Sequence, residues 1–280
     1  MDKQDIIEIG TYFVRKSAEN YIKNEIAISV KVEGMKIFDD PIFAFGDAGD
    51  KYFSRLKDPS IIGEHFMLPK EWFSQAKTVI SFFLPFSELV KNSNKQEKLW
   101  PSEGWLHGRI EGQNLLNSMC LKLKKELIKQ GYMCVVPSLT KKFWSRSGYD
   151  SNHQLIDYHK QNLPIFTSNW SERHVAFVCG LGTFGLSKGL ITKKGVAGRF
   201  GSVITDLYIE PTLRKYEHFF EYCSECGECI KQCPVNAISL EGGKNHFICS
   251  EFLDKIKVKY KPRYGCGKCQ LNVPCENGIP

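Results

Sequence analysis

The residues best placed to do chemistry are the cysteines of "CSECGECIKQCPVNAI", Cys223 to Ile238. Cys223, Cys226, Cys229 and Cys233 form C-x2-C-x2-C-x3-C with Pro234 directly after. Three cysteines at two-residue gaps wrap a tight loop around one 4Fe–4S cube and offer it three thiolates. The fourth cannot reach the same cube, so a second set of ligands is required. Cys249, Cys266, Cys269 and Cys275 follow downstream, the last three in "GCGKCQLNVPCENG". The spacing therefore predicts two 4Fe–4S clusters, one on Cys223, Cys226, Cys229 and Cys275, the other on Cys233, Cys249, Cys266 and Cys269. The second run is C-x2-C-x5-C, two residues longer than the first, which makes Cys275 the loosest member. A lone C-x2-C pair would suit zinc equally well; the cysteine before proline favours iron and sulfur.

Eight of the eleven cysteines lie in this segment, and only Cys120, Cys134 and Cys179 lie outside it. Cys120 and Cys134 read as small core residues. The 42% hydrophobic and 25% charged residues are those of an ordinary globular chain. The N-terminus has no basic stretch, apolar run or twin arginine, so a cytoplasmic protein with no membrane contact is expected. The formal charge is +7. Two oxidised clusters at roughly −2 each would reduce it to about +3, which argues against nucleic acid as a partner. The basic run "KIKVKYKPRYG" (255–265) reads as a solvated face, with docking of an acidic redox partner or RNA as the other option.

Two hundred residues precede the cysteines and must position whatever receives the electrons. Residues 3–24 carry apolar positions at helical spacing, and "KTVISFFLPF" reads as a buried strand. Residues 91–112 are polar and rich in turn formers, which predicts a surface excursion. A helix follows over "NLLNSMCLKLKKELIKQG", stopped by Gly131, and then a short strand "YMCVVP". The expected division is an α/β domain over 1–220 and a cluster module over 221–280.

Gly180-x-Gly182-x-x-Gly185 matches the dinucleotide fingerprint literally. That motif needs a strand before it and a long helix after it. Here the preceding residues look helical, with Asn169 and Glu172 as cap and third residue, and the following ones hold too many glycines. The glycines read instead as tight turns, or as backbone brought against a flat cofactor.

The combination of "SERHVAFVCGLGTFG", "GSVITD" and "GCGKCQ" resembles the epoxyqueuosine reductase and reductive dehalogenase superfamily, over roughly residues 70–280. The resemblance implies a nitroreductase-like domain of mixed α/β (α+β) class holding a base-off cobalamin, followed by a bacterial ferredoxin-like module with two 4Fe–4S clusters. Gly180, Gly182, Thr183, Gly185, Thr192, Gly198, Arg199, Ser202 and Thr205 would line the corrinoid. The reductases carry a proton-donating aspartate where this chain has Phe166, and C-terminal helical repeats around tRNA that are not expected here. Tyr158 with His159 is the candidate replacement donor, after the tyrosine beside a basic residue in the dehalogenases. His174 reads as a structural histidine, and Trp100, Trp105, Trp144 and Trp170 as core rings that could otherwise roof a macrocycle.

The expected function is an iron–sulfur oxidoreductase. It would take single electrons from a ferredoxin or flavodoxin and pass them through the clusters to cobalamin, which reduces a small molecule or modified nucleoside. The alternative is an electron-transfer or corrinoid-reducing accessory protein with no substrate chemistry of its own.

Overall fold

A computed structural model describes residues 1–146 and 165–280. Tyr158 and His159 lie outside the described residues. The first helix, α1 (Lys3–Lys16), opens on an Asp2–Asp5 capping box. It ends at Ser17, earlier than the pattern over 3–24 implied. The reason is Asn20, fully buried, whose amide donates to the Val14 and Phe38 carbonyls and accepts from the Phe38 N–H. These bonds hold the chain in a turn that a continuing helix could not make.

Strand β1 (Ile42–Asp47), short helices α2 (Lys51–Arg55) and α3 (Pro69–Trp72), and strand β2 (Thr78–Pro85) follow. Every residue of β2 is buried, as its continuous apolar run predicts. Residues 91–112 are a correction. Residues 91–96 belong to α4 (Glu88–Gln96) and 103–112 to a long helix, α5 (Glu103–Lys129), whose first two turns are among its most buried parts, so only 97–102 form the excursion. Gly131, at φ +85°, stops α5 as expected.

Next come β3 (Cys134–Val135), α6 (Glu172–Cys179), the hairpin strands β4 (Gly182–Phe184) and β5 (Leu190–Thr192), and β6 (Gly198–Thr205). The main sheet has the order β1-β2-β6-β3, with every pair antiparallel. Alternate residues of β2 face opposite layers. Ile80, Phe82 and Leu84 pack toward α1 and α5. Val79 and Phe83 pack toward α6 and Trp170. Helix α6 begins after Ser171, so Asn169 is not its cap. Asn169 instead donates to the Lys142 carbonyl and accepts from the Trp144 N–H.

The cysteine-rich segment adds α7 (Glu228–Lys231), strands β7 (Ile238–Ser239) and β8 (Gly243–Lys244), and α8 (His246–Tyr260). It is locked onto the larger layer at several points. Leu106 of α5 meets Phe252 and Ile256 of α8 in a small shared core. Gly267 lies against the Trp105 ring, where a Cβ would overlap it. Lys268, almost wholly buried, donates through Nζ to the Asn94 carbonyl at 2.6 Å and to the Glu97 carbonyl. Among the described residues no helix is long and apolar enough to cross a membrane.

Candidate metal centres and the adjoining cleft

The eight cysteines of the C-terminal segment fall into two groups in space. Cys223, Cys226, Cys229 and Cys275 line one recess, together with Gly185, Ile191 and Pro274. Cys226 is exposed, so this recess reaches the surface. Cys275 has a pKa raised to about 12, by burial first and then by the other three thiols. The second group gathers Cys233, Cys249 on α8, Cys266 and Cys269. Cys266 is pushed up to about 12 by burial, with Cys269 and Cys249 adding to it. Cys269 is raised by burial and by Cys249 and Cys233. The two groups adjoin: Cys229, raised to about 11, is perturbed by Cys269 as well as by Cys223 and Cys226.

Among the described residues, no three His, Cys, Asp or Glu side chains converge on a point that could hold a single metal ion. A cube spreads its ligands over four iron atoms, so thiols that share a cavity without converging suit a cluster's size. Backbone donors are present too, the Ala237 N–H reaching the Cys233 sulfur at 3.2 Å. The remaining cysteines are core residues: Cys120 is 0%, Cys179 1% and Cys134 8% exposed.

The residues expected to line a corrinoid do not form one open surface. The hydroxyls of Thr183, Thr192, Ser202 and Thr205 are fully buried and bonded within the chain. A Cβ on Gly182 would strike the Ile191 carbonyl, and one on Gly198 the Leu84 carbonyl and the Phe83 ring. These glycines serve close backbone packing. Gly180 is the left-handed stop of α6, at φ +101°. Gly185 belongs to the first thiol group, since a Cβ there would lie 3.6 Å from the Cys223 sulfur. Arg199 is the exception, with a buried Nε that has no partner.

Arg199, on β6, reaches across to α5. It donates to Gln113, one helical turn beyond Arg109 on α5. Arg173, at the start of α6, is near enough to lower the pKa of Arg199 further, after desolvation and Arg109. Arg173 also senses Cys269, which puts the start of α6 near the second thiol group. Glu172 points inward, toward Trp170 and Ser202, and neither carboxylate oxygen has a well-formed hydrogen bond. Burial raises its pKa to about 7, with Ser202 and Trp170 pulling the other way.

Phe166, where the resemblance led to the expectation of an aspartate, has φ +59°. A bulky side chain in that region costs on the order of 1–2 kcal/mol. Its ring stacks on His246 at 5.4 Å and meets Phe247 edge-on at 5.3 Å. The residue therefore docks on the start of α8. His174 is structural, hydrogen-bonded to Ser171 Oγ and packed on Phe184, and burial lowers its pKa to about 3. Trp105 and Trp170 are core rings, and Trp100 stacks on Phe252.

The family model for a 4Fe–4S binding domain matches residues 216–239. An epoxyqueuosine reductase of Listeria monocytogenes is 30% identical over 124 residues, spanning 41% of this chain and 32% of that protein. An epoxyqueuosine reductase solved with an epoxyqueuosine-modified tRNA stem loop aligns with a TM-score of 0.50 at 18% identity, covering 99% of this chain and 66% of that one. A catabolic reductive dehalogenase solved with 3-bromo-4-hydroxybenzoic acid aligns with a TM-score of 0.50 at 12% identity, covering 99% of this chain and 36% of that one. The chain thus spans less than two thirds of each of these relatives. In fold over its whole length, and in sequence over about two fifths of it, the chain resembles the epoxyqueuosine reductase and reductive dehalogenase superfamily.

Proposed function

We propose that this chain is an iron–sulfur reductase in which residues 221–280 carry two 4Fe–4S clusters and residues 1–220 house the electron acceptor. Cys223, Cys226, Cys229 and Cys275 would hold one cluster, and Cys233, Cys249, Cys266 and Cys269 the other. The observation that carries this reading is the crossing of Cys233. It follows three members of the first group in sequence, yet its thiol neighbours Cys269 in the second. Adjacent cubes suit single-electron transfer. The exposed Cys226 marks the entry side, where a ferredoxin or flavodoxin would dock. Cys269, coupled to Arg173, would be the exit toward the larger domain.

The acceptor implied by the resemblance is a base-off cobalamin. The meeting of α5 and β6 suits a ligand rich in hydrogen-bond acceptors, because the Nε of Arg199 there is buried without a partner. Arg109, Gln113, Arg199 and Tyr264 are the residues that would hold it. Bound there, it would supply a strongly reducing cobalt centre for an organic substrate. The chain's own part is to orient that ligand and keep water away. The substrate would be a small molecule or, after the tRNA-bound relative, a modified nucleoside.

Anaerobic reconstitution with iron and sulfide tests the reading. About eight iron per chain is expected, and about four for Cys233→Ser with the first cluster intact. Tightly held zinc in place of iron would overturn the central claim. Added cobalamin should bind with the spectral shift of the base-off form, and absence of binding would leave an electron relay.

A further inference from the structure

Lys268 stands directly before Cys269 and two residues after Cys266, inside the second thiol group, and is 5% exposed. Its Nζ donates to the Asn94 carbonyl at 2.6 Å, to Asn94 Oδ1 at 3.2 Å and to the Glu97 carbonyl. Three acceptors match the three N–H bonds of an ammonium, whereas a neutral amine would turn a lone pair on one of them. The two carbonyls belong to the last turn and cap of α4, so Lys268 also closes that helix end. Asn94 ties the cation to the cysteines. It is fully buried, and its Nδ2 donates to the Cys266 carbonyl at 3.0 Å while its Oδ1 also accepts from the Ser102 N–H at 2.8 Å. The ammonium is thus two hydrogen bonds from the Cys266 backbone.

No carboxylate answers this charge. Among the described residues Lys268 has no acidic partner, since Glu97 lends it a carbonyl. A buried ammonium facing neutral dipoles alone is costly. The negative charge at hand is that of the second cluster with its four thiolates, about −2 when oxidised and about −3 after one electron. That electron comes from the first cluster, and no proton moves. A fixed cation stabilises the more negative state further, and burial leaves the attraction largely unscreened. The first group differs, because between Cys223 and Cys226 its loop carries the exposed Glu225.

We propose that Lys268 is held as a buried counter-charge for the second cluster and draws the electron onto it, so that transfer is biased from the first cluster toward the larger domain. This deepens the reading above by naming the residue that sets the bias, and it rests on that reading for the clusters themselves. A role confined to closing α4 would leave the redox equilibrium untouched, so a reduction potential separates the two roles.

The full chain, reconstituted anaerobically with iron and sulfide, is titrated with dithionite and redox mediators while electron paramagnetic resonance follows each cluster. The signal missing from Cys233→Ser belongs to the second cluster. Lys268→Gln and Lys268→Met should each shift that cluster's reduction equilibrium about tenfold toward the oxidised form, a midpoint about 59 mV lower for one electron. Lys268→Arg, which keeps the charge, should hold the wild-type midpoint, and the first cluster should hardly move in any variant. Iron content is measured on the same samples, and where one neutral variant alone keeps both clusters, that variant decides. An unmoved second midpoint, an equal shift in Lys268→Arg, or loss of the second cluster's iron from both neutral variants overturns the proposal. Two clusters in the wild type with unmoved midpoints in the variants sink this inference alone. Tightly held zinc with no redox signal sinks the cluster reading together with it.

Discussion

Glu172 shows how one buried group sets a pH dependence. Its folded pKa of about 7 stands above the ordinary 4.5, because burial disfavours the charged form. Below the unfolded pKa both states carry the proton and the group contributes nothing. As pH rises from there toward 7, the unfolded chain loses the proton while the folded one keeps it, so stability falls. The full effect is on the order of 3 kcal/mol, and it is complete once the folded form has also ionised. Glu172→Gln should therefore raise the thermal midpoint above pH 7 and flatten its decline between pH 4.5 and 7. A variant with the wild-type pH profile would show that the carboxyl is not held protonated. The sequence marked this residue as half of a helix-capping pair, because three-residue spacing is visible in a string and desolvation is not. Arg109 escaped notice for a related reason: its meaning depends on Arg199, ninety positions away and one strand across.

At the scale of elements, α5 is the informative failure. Gly104, Gly108 and Gly112 fall in a polar stretch and read as turn formers. They stand four apart, so in a helix they form one stripe. A Cβ on Gly108 would lie 2.8 Å from the Phe86 ring, and one on Gly112 2.8 Å from Phe38. Those two rings stack on each other at 5.0 Å. The glycines are thus a groove into which an aromatic pair settles. Helix propensity alone would make Gly108→Ala stabilising by about 1 kcal/mol. Overpacking should win, because Phe86 is also backed by Trp105 at 4.8 Å and cannot retreat. We expect a net loss of roughly 1–2 kcal/mol in denaturant unfolding, and a gain would show that the ring moves aside. What was legible in the sequence were elements with a single strong signal: the fully buried β2, the Gly131 stop and the cysteine run. The bond between Arg199 and Gln113 was not, because it joins β6 to α5 across 86 positions of sequence.

Over the whole molecule, the cysteine segment has too small a core to stand alone. Its own fully covered apolar residues are few, chiefly Ala237, Ile238, Phe252, Ile256, Leu271 and Val273. A module of this size needs ligation to supply what burial does not. Its tie to the larger layer runs through two tryptophans, Trp105 against Gly267 and Trp100 stacked on Phe252 at 5.6 Å. Trp170 lies in the other core, between Phe53 and Phe66, on the far side of the sheet from α5. Removing iron with a chelator under anaerobic conditions should loosen the cysteine segment while the antiparallel sheet and its helices persist. Intrinsic fluorescence should then shift to longer wavelength through Trp100 and Trp105. Trp100→Phe with Trp105→Phe should abolish most of that shift, whereas Trp170→Phe should leave it. Far-ultraviolet circular dichroism should fall only by the part contributed by α7 and α8. A collapse of the whole signal on chelation would mean that the clusters hold the entire chain together, and that the larger layer depends on the smaller one to fold.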